Sequence, residues 1–246
     1  GQISASITPS ASFVFPVVFA SVLCGAAGGL FNLLVLRQKR WIPQRLQGIR
    51  ATQPLVWGAG LGLLIAVIGI ASGGETWGSG YDQARALLMD QKETVGYFYP
   101  LAKLGTMVLT YMAGTPAGLF SPSLSIGAGF GHAASALFPG ASASAVVAVC
   151  MVGYLAAVTQ SPLTSFIIVM EMINGSSLLI PLMATALISS RVANFFTPPL
   201  YDALAHQNYG ASPEEEVVPA EKDAVLAVED AVLPDRTAAD EEGPAR

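Results

Sequence analysis

The chain has 246 residues, 52% of them hydrophobic and only 12% charged, with a positive mean hydropathy. That balance argues against an ordinary soluble domain and for a polytopic membrane protein. The formal net charge of −5 averages two unlike parts: residues 1–204 hold 9 Lys/Arg and 6 Asp/Glu, whereas residues 205–246 hold 3 and 11. No nucleic-acid partner is expected. Cys24 and Cys150 both lie in apolar runs, so they read as small buried hydrophobes and not as a disulfide framework. The chain opens Gly1-Gln2-Ile3, with neither an initiator Met nor a signal peptide, so the expectation is a piece of something longer.

Residues 13–36 form an apolar stretch long enough to span a bilayer, and Gly25, Gly28 and Gly29 within it allow close helix approach. Arg37, Lys39, Arg40, Arg45 and Arg50 follow as a basic loop, cytoplasmic by the positive-inside rule. A second span covers 54–72. The glycine-rich connection 73–81 then lies outside, followed by a short amphipathic segment, 82–93. Glu75, Asp82, Asp90 and Glu93 cluster there. The connection lacks the Lys-Ser/Thr ending of a phosphate-binding loop.

A third hydrophobic helix, 97–113, carries Lys103. Its simplest reading is a lysine snorkelling to the interface, the other being a role in an ion path. Residues 114–122 cannot continue that helix. Pro116 and Pro122 lack an N–H, and Gly114 and Gly118 allow backbone angles that other residues avoid. A helix resumes from about Ser121 to 137, with Pro122 near its first position, where proline is tolerated. His132 on it reads as a packed or polar-bonded residue, not a ligand or proton relay. Residues 144–159 are apolar; Gln160-Ser161-Pro162 breaks the run, and Pro162 opens a helix that stops at Asn174-Gly175. Glu171 inside it is either a functional acid at membrane depth or a hydrogen-bonded structural one. A last long helix, 177–196, ends near Arg191. Thr197-Pro198-Pro199-Leu200-Tyr201 breaks the chain again before a short segment, 202–207. The tail from 208 is too rich in Glu, Ala, Pro and Val to bury a core and is expected to be disordered.

The break at 114–122 exposes a helix N-terminus deep in apolar sequence, where free N–H groups and the positive dipole end can hold an anion. Moving an ion into low dielectric costs on the order of 20 kcal/mol ideally, and several after relaxation. Two charge-assisted bonds from the Leu119 and Phe120 amides return roughly 1.5–3 kcal/mol each, and a helix dipole up to about 2. Further donors must therefore converge. Tyr201, a phenol after a double proline, is the best one the sequence offers, its other reading being an interfacial tyrosine.

Gly118-Leu119-Phe120-Ser121-Pro122 resembles the G-x-F-x-P signature of the CLC chloride channel and transporter family. Gly114-Thr115-Pro116-Ala117-Gly118 is similar to that family's approach to the signature, and residues 155–164 with Val169-Met170-Glu171-Met172 to the helices after its ion site. Pro199-Leu200-Tyr201 resembles the stretch that supplies its chloride-coordinating tyrosine. The likeness covers about 13–207, and four motifs in order make it specific.

The resemblance implies an all-α polytopic membrane protein with broken and re-entrant helices, the second half of an inverted repeat. It also implies chloride transport, as a channel or a proton-coupled exchanger, with no cofactor and no enzymatic activity. Leu119 and Phe120 would offer backbone amides to chloride and Tyr201 its hydroxyl, with Gly118, Ser121 and Pro122 forming the supporting loop. A homodimer through residues 13–36, 162–173 and 177–195 is implied, in the cell membrane, with residues 1–207 as the membrane half and 208–246 as a cytoplasmic tail. The family's G-S-G-I-P motif and its G-[K/R]-E-G-P motif with the gating glutamate are not in this chain. The inner proton-accepting glutamate is expected upstream, in a missing N-terminal half. The paired regulatory domains that follow the pore in many relatives are absent as well. Two other readings stand beside this one: a non-conducting partner or remnant that dimerises without transporting, and a membrane hydrolase built from Ser79, His132 and Ser121. The hydrolase lacks the G-x-S-G pattern, because Trp77 stands where glycine is needed.

Overall fold

The computed structural model describes residues 13–91, 95–115, 117–173 and 178–209. Pro116, Glu93, the Asn174-Gly175 stop and all but the first two residues of the tail lie outside these. Among the described residues the regular elements are all helices, with no strand. In order come α1 (Val14–Leu36), α2 (Gln38–Trp41), α3 (Gln44–Thr52), α4 (Pro54–Ala71), α5 (Tyr81–Leu88) and α6 (Tyr99–Ala113). Then follow α7 (Phe120–Ser135), α8 (Ala143–Thr159), α9 (Pro162–Ile173), α10 (Leu179–Asn194) and α11 (Leu200–Tyr209). The chain divides into two compact units, Gly1–Leu200 and Tyr201–Arg246; the described part of the second is helical throughout.

The first unit is built around α8. Every residue from Ala145 to Thr159 on it is buried, and α1, α7 and α10 pack against it. A helix apolar all round needs neighbours on every side, and small residues let them come close. A Cβ on Gly131 of α7 would sit 2.5 Å from the Val147 Cα, and one on Gly127 would sit 2.7 Å from the Cys150 carbonyl. Backbone therefore meets backbone along this seam, as small residues permit in membrane bundles.

Two helices, α1 with 23 residues and α4 with 18, are long and apolar enough to cross a membrane, while α8, α9 and α10 are apolar but shorter. At 1.5 Å per residue α9 is about 18 Å long, against a hydrocarbon core of roughly 30 Å. Such short helices leave polar ends inside the bundle, and those ends are satisfied by protein. Gln160 caps α8 in the left-handed region (φ 53°), and its N–H returns to the Ala156 carbonyl at 2.9 Å. The buried Asn32 amide of α1 donates to the Val158 carbonyl at 3.0 Å and to that of Ala157 at 3.4 Å. Gln160 Nε2 in turn donates to the Thr197 carbonyl at 2.8 Å.

One expected loop is helical. The basic stretch after α1 folds into α2 and α3. Pro43 (φ −54°) sets the entry of α3, and Gln, Arg, Leu and Ala have high helix propensity. The exterior is apolar in the manner of a bilayer-facing surface: on α4, Leu55, Leu63 and Ile70 are 87%, 68% and 71% exposed.

The α7–α8 seam gives a direct test. Gly131→Val should destabilise the purified protein by at least about 1–3 kcal/mol, because backbone would have to move to admit the side chain. Gly48→Ala, on the open side of α3 with nothing within 4 Å of the new methyl, should raise stability by up to about 1 kcal/mol. Thermal unfolding in detergent reads both.

Candidate functional site

The break between α6 and α7 has two unequal sides. On the carbonyl side, the last turn of α6 is satisfied from several directions. Gly114, left-handed at φ 78°, donates its N–H to the Tyr111 carbonyl at 3.1 Å. Thr115 Oγ1 donates to the Thr110 carbonyl at 3.3 Å, and Trp57 Nε1 of α4 to that of Met112 at 3.0 Å. The Tyr111 hydroxyl reaches across the break to the Ala117 carbonyl, 3.3 Å away.

On the amide side, α7 starts without a side-chain cap. Its ladder opens with the Ser123 N–H to the Leu119 carbonyl at 3.1 Å. The Leu119, Phe120 and Ser121 amides precede that bond and find no acceptor among the described residues. The helix begins at Phe120, one residue before the expected start, with Leu119 as N-cap. Pro122 is therefore its third residue, still within the turn where a missing N–H costs no ladder bond. The Leu119 side chain is buried and anchors the turn; Phe120 is 44% exposed. Of the two glycines expected to allow unusual backbone angles, Gly114 takes a positive φ and Gly118 does not. What Gly118 supplies is room, since a Cβ there would meet nothing within 4 Å.

A second irregular stretch faces the first. Gly73, Gly74, Gly78 and Gly80 all have positive φ, so the connection between α4 and α5 is a chain of tight turns open to glycine at little cost. Lys103 holds it. Its reading as a snorkelling lysine is overturned. The side chain is 4% exposed, and Nζ donates to the Thr76 and Gly78 carbonyls, both at 2.7 Å. Lys103 sits one turn into α6, where the nearest acceptors are these turn carbonyls. Their convergence replaces the water a charged head otherwise seeks. The Glu75 carboxylate adds a second tie, accepting the Gly96 N–H at 3.0 and 3.2 Å.

Between the two stretches lies a cavity of about 600 Å³, whose wall includes Gly78, Ser79, Lys103, Gly118, Ser121 and Pro122. Thr106 and Thr110 continue the Lys103 face of α6 along it, each returning its hydroxyl proton to the helix carbonyl behind it, at 2.9 and 2.8 Å. Three of the expected site residues, Gly118, Ser121 and Pro122, thus share one cavity. Leu119 and Phe120 form the helix start beside them. Tyr201 opens the second unit and is 46% exposed. His132 is buried and stacked on Tyr97, ring centroids 4.8 Å apart, as a packed residue is. Glu171 stands exposed on α9. The contribution of Lys103, Thr106 and Thr110 was legible only as a spacing: i, i+3 and i+7 place all three on one helical face.

Residues 2–194 fit the family described as voltage gated chloride channel. The chain belongs to that family. It is accordingly an all-helical membrane protein of the CLC type. Among curated relatives, it is 31% identical over 192 residues to the H(+)/Cl(-) exchange transporter ClcA of Citrobacter koseri and, equally, to that of Salmonella agona. Each match takes in 74% of this chain and 40% of the relative, so the chain spans well under half the length of the relatives it matches.

The two glycine-bearing stretches should respond differently to a side chain. Gly118→Val leaves the folded state within about 0.5 kcal/mol of the parent, because its side chain enters open space. Gly80→Val strains a backbone at φ 81° and drives into Ser125 and the Tyr99 hydroxyl, so yield and thermal midpoint both fall. Size-exclusion profiles and thermal midpoints of the two variants check this.

Proposed function

We propose that this chain supplies part of the chloride site of a CLC-type channel or proton-coupled chloride exchanger. The observation that carries the reading is the asymmetry of the break. The carbonyls at the end of α6 and at Ala117 receive donors, while the Leu119 and Phe120 amides point out of an uncapped helix start. A helix N-terminus with its donors uncommitted and an open cavity beside it favours an anion. The family membership and the exchange-transporter names of the relatives support the same ion. In this reading the Tyr201 hydroxyl is a third donor, and Gly118 keeps the approach clear. The rest of the transport path comes from sequence outside this chain. The protein works in the cell membrane with residues 208–246 as a cytoplasmic tail.

The reading extends to a homodimer through α1, α9 and α10. The exposed apolar residues Leu163 and Ile167 on α9 and Ile180, Met183 and Leu187 on α10 support such a contact.

Isothermal titration of chloride into the full-length protein tests the site. Loss of one charge-assisted bond in Tyr201→Phe should weaken chloride binding about ten- to a hundredfold. Gly118→Val should weaken it further by obstructing the approach. Unchanged chloride affinity in both variants contradicts the assignment. Chloride binding without flux in liposomes would point instead to a non-conducting partner.

A further inference from the structure

Among the described residues no acid neutralises Lys103. The side chain is 4% exposed, yet both of its bonds go to carbonyls, which are dipoles and bring no counter-charge. It pairs with no carboxylate among the described residues, and no acid lines the cavity it borders. Two of its three donors are committed to the Thr76 and Gly78 carbonyls, leaving the third. The same cavity reaches Gly118, Ser121 and Pro122 at the α7 start, with Thr110 on the wall between. From Lys103 to Thr110 the α6 face rises about 10 Å, close enough for a buried charge to be felt along the whole path.

We propose that Lys103 is the electrostatic determinant of anion access to the α7 start: a fixed cation in the wall of an approach cavity, held in place by the glycine-rich connection 73–81. This rests on the reading of the α7 start as a chloride site and adds a path and a cation to it. A cleft of one charge sign with low-dielectric walls concentrates the opposite ion. Lys103 is a positioning residue here, raising the local anion concentration without belonging to the coordinating set.

The test is initial chloride efflux from liposomes holding the full-length protein, measured against chloride concentration and ionic strength. Lys103→Gln keeps an amide that can donate to the connection and removes the charge; Lys103→Arg keeps both. Lys103→Gln should raise half-saturating chloride about tenfold, with the maximal rate within about twofold, and should flatten the ionic-strength dependence. Lys103→Arg should restore the parent values. Thr110→Glu leaves the Lys103 bonds intact and sets an opposing charge in the same cavity, so it should raise half-saturation even where Lys103→Gln folds poorly. Overturning results are an unchanged half-saturation in Thr110→Glu, or a drop in maximal rate alone in a well-folded Lys103→Gln. If Tyr201→Phe still weakens chloride binding in that case, the site reading stands and only the role of Lys103 falls. Absence of saturable chloride flux in the parent protein removes both.

Discussion

Backbone that leaves helical geometry inside an apolar bundle must find a partner for each polar group it exposes, because neither lipid nor hydrocarbon side chains supply one. That demand organises the first unit. It places Trp57, Tyr111, Gly114 and Thr115 around the end of α6, and Asn32 and Gln160 around the end of α8. Some of these acceptors are met from neighbouring helices, by Trp57 of α4 and Asn32 of α1, and the others by the chain's own next turn. The amides at the start of α7 find no such partner among the described residues, and what sets this uncapped start apart from the others is that it sits beside a cavity shared with Lys103. An uncapped helix start is destabilising when dry, and an anion is the partner of opposite sign that it suits best.

The remaining architecture follows from holding that start still. α7 is fixed against α8 by Gly127 and Gly131, where backbones touch, so the helix cannot slide without breaking the seam. Across the cavity, the connection 73–81 is flexible by composition but tied by Lys103 and Glu75. In the proposed function, a donor array and a tethered cation facing one cavity would serve an anion path, since fixed dipoles cost no reorganisation as an ion arrives.

Much of this was legible in residues. Proline and glycine marked both breaks to within a residue or two, since they remove ladder donors or permit left-handed angles. The apolar runs marked α1, α4, α6, α8 and α10, because a long apolar stretch must be covered by helix neighbours or lipid. Two features were not legible. The basic stretch after α1 read as a loop because charge masked the helix propensity of Gln, Arg, Leu and Ala around Pro43. Lys103 read as an interface residue because its carbonyl partners lie 25 and 27 positions away, on a connection whose path the sequence does not specify. Gly118 shows the same limit in reverse: the residue type was right for the site, but its use is open space and not a backbone angle.

The central claim is that an anion sits against the Leu119 and Phe120 amides. Anomalous diffraction from crystals of the full-length protein grown in bromide tests it most directly, since bromide substitutes for chloride and reports its own position. The expected result is a bromide peak within hydrogen-bonding distance of both amides, lost or weakened in Gly118→Val. Well-ordered density at the α7 start with no anomalous peak there, in crystals where bromide is seen elsewhere, would contradict it.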